Sequence, residues 1–198
     1  MIMVAALSSQ TTPVRDNKRP QLLDAAAQHF AEQGYAAASM RDIAAAAGMK
    51  AGSMYYYFPS KEDLLVAVHE EGIHRISAAV VDALTDVAGP WARLEAAMAA
   101  HLQALLGGGD YVRVVIKVPP GEQSMARESL IALRDAYERI FTRLIAELPL
   151  SPNMSVRHLR LMVLGAMNWT PNWYRSGGDN PREIAASFVR ALRQGDCS

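Results

Sequence analysis

Apolar positions recur at helical spacing along this chain from Leu22 onward. Leu22, Leu23, Ala26, Ala27 and Phe30 form one helical face that opens at Pro20, a residue suited to a first turn, and stops at Gly34. Ile43, Ala44 and Ala47 form a shorter face. Ser39 precedes it with Asp42 three residues on, a capping box that starts a helix at Met40, and Gly48 ends it. After a tight turn a third helix is expected over Gly52–Phe58, closed by Pro59. Ser60 and Asp63 then cap a long helix carrying Leu64, Leu65, Val68, Ile73, Ile76, Val80, Val81 and Leu84. It is expected to run from Lys61 to about Val87, about 40 Å, with Gly72 as a bend or pivot.

The rest of the chain has the same period. Gly89-Pro90 is a break, Trp91–Leu106 reads as a helix, and Gly107-Gly108-Gly109 reads as a flexible connection. Tyr111–Val118 is rich in β-branched residues, but a lone strand has no partner, so a short buried helix is expected before Pro119-Pro120-Gly121. Leu130, Leu133, Tyr137, Ile140, Phe141, Leu144, Ile145 and Leu148 make the cleanest amphipathic face. Val156–Trp173 is apolar on nearly every side and is expected to be buried all round, one side against another subunit, with Pro171 breaking or kinking its last turn. A final helix runs from Pro181 to about Arg193 with Ile184, Ala185, Phe188, Val189 and Leu192 on one side. The expected fold is all-α: a three-helix N-terminal head with a helix-turn-helix, then a helical domain for ligand binding and dimerisation. The expected divisions are 1–17, a disordered N-terminal arm without helical or strand period; 18–65, the DNA-binding head; and 66–198, the ligand-binding and dimerisation domain.

Helix, Gly-containing turn, helix is the plan of a motif whose second helix enters the DNA major groove. Around that second helix Lys50, Ser53, Tyr55, Tyr56, Tyr57 and Lys61 crowd hydroxyls and amines together. Such groups donate to phosphate oxygens and fix register on a duplex. The alternative is a tyrosine-rich helix that packs on its neighbours. The segment also resembles the DNA-binding domain of the TetR/AcrR family of bacterial regulators. Ser39, Arg41-Asp42-Ile43-Ala44, Ala47-Gly48-Met49, Gly52-Ser53-Met54-Tyr55-Tyr56-Tyr57-Phe58 and Lys61-Glu62-Asp63-Leu64 carry the likeness. That resemblance implies phosphate contacts at Ser39, Arg41, Tyr55, Tyr57 and Lys61, with Lys50, Ala51, Gly52 and Ser53 facing the bases. Lys50 stands where the family usually has Ser or Thr. It is a poor cap but a good partner for guanine or phosphate, and so a candidate specificity residue. The resemblance also implies a homodimer built by the last two long helices, with Leu161, Leu164, Gly165, Asn168, Phe188 and Leu192 as candidate partner-facing positions.

Net charge changes the picture little. The 198 residues sum to zero, which argues against a broadly basic nucleic-acid coat. Up to Lys61, however, six basic residues face four acidic ones, a surplus of two that a specific dimer doubles. A hydrophobic content of 51% is ample for a core. The single cysteine, Cys197, permits no intramolecular disulfide and suits a reducing cytoplasm. The start is faintly signal-like but has no positive segment before its short apolar run, and no stretch reaches the length of a membrane span. A cytoplasmic protein without membrane association is expected.

The helices from Trp91 to Trp173 are expected to enclose an apolar cavity, the usual form of a small-molecule site. Trp169 and Trp173, four apart, share a helical side. Together with His101, Tyr111, Met125 and Tyr137 they are the candidate lining residues. The segment from Asn168 to Ile184 is similar to the C-terminal end of acyl-CoA-responsive members of the family, which makes a lipophilic effector such as an acyl-CoA thioester the expected ligand. No catalysis is expected. The five histidines form no H-x-x-x-H pattern, and there is no G-x-S-x-G elbow or dinucleotide fingerprint. No metal or cofactor is expected either. The competing readings are a helical adaptor without specific DNA binding and a ligand-free constitutive DNA binder.

Overall fold

The computed structural model describes residues 18–118 and 126–195. Among them the chain forms α1 (Arg19–Gln33), α2 (Met40–Ala46), α3 (Ala51–Met54), α4 (Lys61–Asp82), α5 (Pro90–Leu106), α6 (Asp110–Lys117), α7 (Arg127–Ala146), α8 (Val156–Trp173) and α9 (Pro181–Gly195). The expected arm at 1–17, the Pro119-Pro120-Gly121 break, Met125 and Cys197 lie outside the described residues.

Side-chain caps set the helix starts. The Asp42 N–H donates to Ser39 Oγ at 3.1 Å, while the Ser39 hydroxyl donates to Asp42 Oδ2 at 2.6 Å. Ser60 and Asp63 repeat the device at 2.7 and 3.0 Å. Each satisfies a helix-end N–H that has no partner inside the helix. Gly48, at φ 67°, supplies the left-handed residue that ends α2.

Two apolar clusters follow. The first joins Leu22, Phe30, Ile43, Met54, Phe58, Leu64 and Leu65 of the head to Tyr111 and Val114 of α6, Val118 just after it and Leu130 of α7. The second gathers Ile76 and Val80 of α4, Leu94, Met98 and Leu102 of α5, Phe141 and Ile145 of α7, Met167 of α8 and Ile184 of α9. The α4 helix thus reaches both clusters, its first half in one and its second half in the other. α6 lies against α1 and α4.

Several elements differ from expectation. α3 is helical only over Ala51–Met54. The Tyr57 and Phe58 N–H groups both turn back to the Met54 carbonyl, at 2.9 and 3.1 Å, so the aromatic run is a tight turn rather than further helix. α4 stops at Asp82, about 33 Å long. Its end tightens through Leu84 N–H to Val81 O and Thr85 N–H to Asp82 O, and Asp86 then takes a left-handed φ of 59°. Gly72 is no break. α4 runs through it, and a Cβ there would stand 2.8 Å from Val115 Cγ2 and 2.9 Å from the Tyr111 carbonyl oxygen. It is the crossing point of α4 and α6.

The α8 helix is not buried all round. Leu159, Val163, Leu164 and Met167 face the core, while Leu161, Met162, Trp169 and Trp173 are exposed. This chain covers one side of the helix and leaves the other exposed. Leu164, expected toward a partner, is buried in the second cluster. Pro171 sits inside the helix without ending it.

Candidate nucleic-acid interface and effector cavity

The two capped starts, at Ser39 and Ser60, frame α3. Met54 is its only buried residue. Around it Arg41, Lys50, Gly52, Ser53, Tyr55 and Tyr56 are exposed, Tyr56 by 84%, while Ala51 and Tyr57 are half-buried. Lys50 is the residue before α3 and makes no side-chain cap, as a group without an acceptor must. Gly52 has an ordinary backbone conformation, and nothing lies within 4 Å of where its Cβ would stand. The chain's own packing therefore does not require a glycine there. The Tyr56 and Tyr57 rings meet edge to face at 5.7 Å.

Ser39 and Lys61 stand differently from the other expected phosphate ligands. The Ser39 hydroxyl is engaged by the Asp42 carboxylate. The Lys61 ammonium donates to the Ala36 carbonyl at 3.2 Å and lies 4.4 Å from the centre of the Tyr35 ring. Burial lowers its pKa. Lys61 thus ties the start of α4 to the α1–α2 connection.

Below the head, α6 bonds to it through side chains. The Tyr111 hydroxyl donates to Asp24 Oδ1 of α1 at 2.8 Å, and the Arg75 guanidinium of α4 lies 4.1 Å from its ring centre. Burial, then the Asp24 hydrogen bond, pushes the phenol's pKa up. Lys117 donates to the Ala31 carbonyl at 2.8 Å. The buried His69 ring sits between the carbonyls of Leu65 (3.2 Å) and Val118 (3.1 Å), and burial lowers its pKa against the opposing pull of those two acceptors.

The other face of α6 borders a cavity of 240 Å³ between α4, α5, α6, α7 and α8. Ile73, Ile76, Leu105, Val115, Ile116, Leu130 and Leu164 give it apolar walls, and His69, His101, Arg134, Tyr137, Glu138 and Asn168 supply polar groups. Three of these form a string. The Tyr137 hydroxyl donates to His101 Nδ1 at 2.5 Å, so Nε2 carries the ring proton and donates to Asn168 Oδ1 at 3.2 Å. Burial lowers the His101 pKa to about 4 and raises that of Tyr137, so both stay neutral at ordinary pH. At the rim Glu138 bridges Arg134 (3.4 Å) and Arg160 (2.9 Å).

Of the expected lining residues, His101 and Tyr137 meet on this wall. Tyr111 does not; its hydroxyl is committed to the head. Trp169 and Trp173 do share a helical side, but it is the outer one. They are 65% and 45% exposed and do not line the cavity. Met125 lies outside the described residues. Asn168 was read as a partner-facing residue, yet its carbonyl oxygen closes the string. No group of three or more metal-ligating side chains occurs among the described residues, and no helix among them is long and apolar enough to cross a membrane.

Comparison with known proteins matches both halves of the chain. A family model described as bacterial regulatory proteins, tetR family, matches residues 22–68, and one described as tetracyclin repressor-like, C-terminal domain, matches residues 87–195. The chain is 29% identical over 170 residues to the HTH-type transcriptional repressor KstR2 of Mycobacterium tuberculosis, covering 82% of this chain and 84% of that protein. Among solved structures, the superantigen PfiT superposes with a TM-score of 0.79 at 29% identity over 89% of this chain and 96% of its own. AibR, in complex with isovaleryl coenzyme A and operator DNA, superposes with a TM-score of 0.75 at 23% identity over 88% and 97%.

Proposed function

The chain belongs to the tetR family of bacterial regulatory proteins, and from that premise we propose that its exposed α3 surface and its buried cavity are the two ends of one ligand-responsive repressor. The fold alone does not decide this, since one fold hosts unrelated functions. The observation that carries the reading is the head: a doubly capped helix-turn-helix whose α3 buries only Met54 and keeps Lys50, Gly52, Ser53, Tyr55 and Tyr56 exposed. Tyr55, Tyr57 and Arg41 hold phosphates, and Lys50 reads a base. Lys61 acts by positioning α4.

A homodimer sets two such heads on a pseudo-palindromic operator, because one head contacts too little DNA for specific affinity. The exposed stripe of Leu161, Gly165, Trp169 and Trp173 on α8, spaced four apart, is the surface that supports pairing. In the cytoplasm, a lipophilic effector such as an acyl-CoA thioester fills the cavity, as AibR's complex with isovaleryl coenzyme A suggests by analogy. α6 and α4 border both cavity and head, so occupancy moves the heads and weakens operator binding by a coupling of about 1–3 kcal/mol. No catalytic step is involved.

The test is selection of bound duplexes from a random DNA pool at physiological salt. A recovered palindrome is expected, released when thioesters are added. Lys50→Ala is expected to change the preferred sequence, and Tyr55→Phe to weaken all sequences alike. A pool that never enriches, from folded protein, would leave a helical adaptor instead.

A further inference from the structure

Two side-chain bonds tie α6 to α1 from opposite ends of the short helix. Near its start the Tyr111 hydroxyl donates to Asp24 at 2.8 Å, under the guanidinium of Arg75, which α4 holds in place through Glu71 at 2.7 Å. At its last residue the Lys117 ammonium donates to the Ala31 carbonyl at 2.8 Å. Ala31 belongs to the final turn of α1, whose carbonyls have no N–H partner inside the helix. α1 has no basic residue of its own there, so Lys117 supplies the cation that favours a helix C-terminus. The two bonds lie about 9 Å apart along α6. One bond would leave α1 a pivot, whereas two at that separation resist turning as well as sliding. The close crossing of α4 and α6 at Gly72 is the third fixed point. Each bond adds little to stability. What the set fixes is an angle.

That angle has a long arm. From Gly72 back to Lys61, where α4 begins, is about 16 Å of helix. A tilt of about 6° at the crossing shifts one head by about 1.7 Å and a symmetric pair by about 3.4 Å, one base-pair step, and each such step also turns a half-site by about 35°.

We propose that Tyr111 and Lys117 are positioning residues that set the spacing between operator half-sites, by holding the two heads of a dimer at one separation and one rotation. Spacing is then selected from α6 and base sequence from α3. This rests on the dimeric DNA-binding reading above and goes beyond it.

The experiment is fluorescence anisotropy of the full chain at physiological salt. The duplexes carry the half-sites selected by the wild-type protein, at their selected spacing and with one or two base pairs added or removed between them. Wild-type affinity is expected to fall about tenfold or more for one base pair in either direction. The Tyr111→Phe, Lys117→Met double variant should bind the selected spacing more weakly and lose only about threefold on the same change, with unaltered base preference. Lys117→Met alone removes an exposed side chain and leaves the core intact, so it should show part of this effect even if the double variant is poorly folded. Lys117→Arg, which keeps a donor for the Ala31 carbonyl, should restore the narrow profile. A folded Lys117→Met chain with the wild-type spacing profile would overturn the proposal, as would a wild-type protein indifferent to spacing. If selection recovered no palindrome, the dimeric reading would fall and this proposal with it.

Discussion

Gly52 and Gly72, both helical, have opposite surroundings. Gly52, in α3, is exposed with nothing near its missing Cβ. Gly72, in α4, is buried with the Tyr111 carbonyl oxygen 2.9 Å from that position. At Gly72 the partner that forbids a side chain is α6 of the same molecule. At Gly52 this chain supplies no such partner, and the close neighbour would come from outside. A helical glycine costs roughly 1 kcal/mol relative to alanine, and at Gly52 no contact within the chain requires it. The tyrosines divide in the same way. Tyr55 and Tyr56 of the head are exposed, while Tyr111 and Tyr137 commit their hydroxyls to Asp24 and His101.

Measured as stability, the contrast is widest at the crossing. Gly72→Ala should destabilise by about 1–2 kcal/mol, because overpacking against a backbone oxygen that cannot rotate away outweighs the gain in helix propensity. Unchanged denaturant midpoints would mean that α4 and α6 have room to part. Tyr137→Phe should cost about 1 kcal/mol, since the buried His101 Nδ1 loses its donor, and operator affinity without effector should not move. Acid should act on the same domain. His101 and His69 have folded pKa values below the unfolded value of 6.5, so the unfolded chain binds more protons and stability falls as pH drops through 6.5. For His101 the loss should reach about 1 kcal/mol near pH 5.5. Replacing it with glutamine should flatten that slope in thermal melts.

The head should respond in the other direction. Gly52→Ala should raise stability by up to about 1 kcal/mol yet weaken operator binding by about tenfold or more. A variant both more stable and equally tight on DNA would remove Gly52 from the interface. Smallest of all, Tyr55→Phe should change stability by less than about 0.5 kcal/mol, its effect appearing only on DNA.

The head was the more legible region because its signals are local. Ser39 and Asp42, or Ser60 and Asp63, lie three residues apart, and Gly48 ends α2 by its own backbone. The short extent of α3 was harder to read, because nothing between Tyr55 and Phe58 announces a tight turn. In the C-terminal domain the helices were readable and their sides were not. The spacing of Trp169 and Trp173 put them together, but apolarity cannot say whether a stripe faces its own core or another molecule. Tyr111 was expected at the ligand because its bond to Asp24, 87 residues away, leaves no trace in either segment. His101 and Tyr137 were named separately, and their contact spans 36 residues. Asn168 was expected to face a partner, and its bond to His101 depends on how α5 and α8 meet.

Because α3 is anchored chiefly by Met54, with Ala51 packed beside it, and framed by caps that belong to its neighbours, its outward positions are open to substitution at little risk to folding. If Lys50 and Ser53 face the bases as proposed, they can vary, and with them the DNA sequence preferred, while the head keeps its shape. Descendants of such a gene can move to new promoters by a few surface changes. The cavity allows no such drift, since each polar group on the His101 string is another's partner. Lineages built on this frame should diverge quickly in the sites they occupy and slowly in the metabolite they answer to.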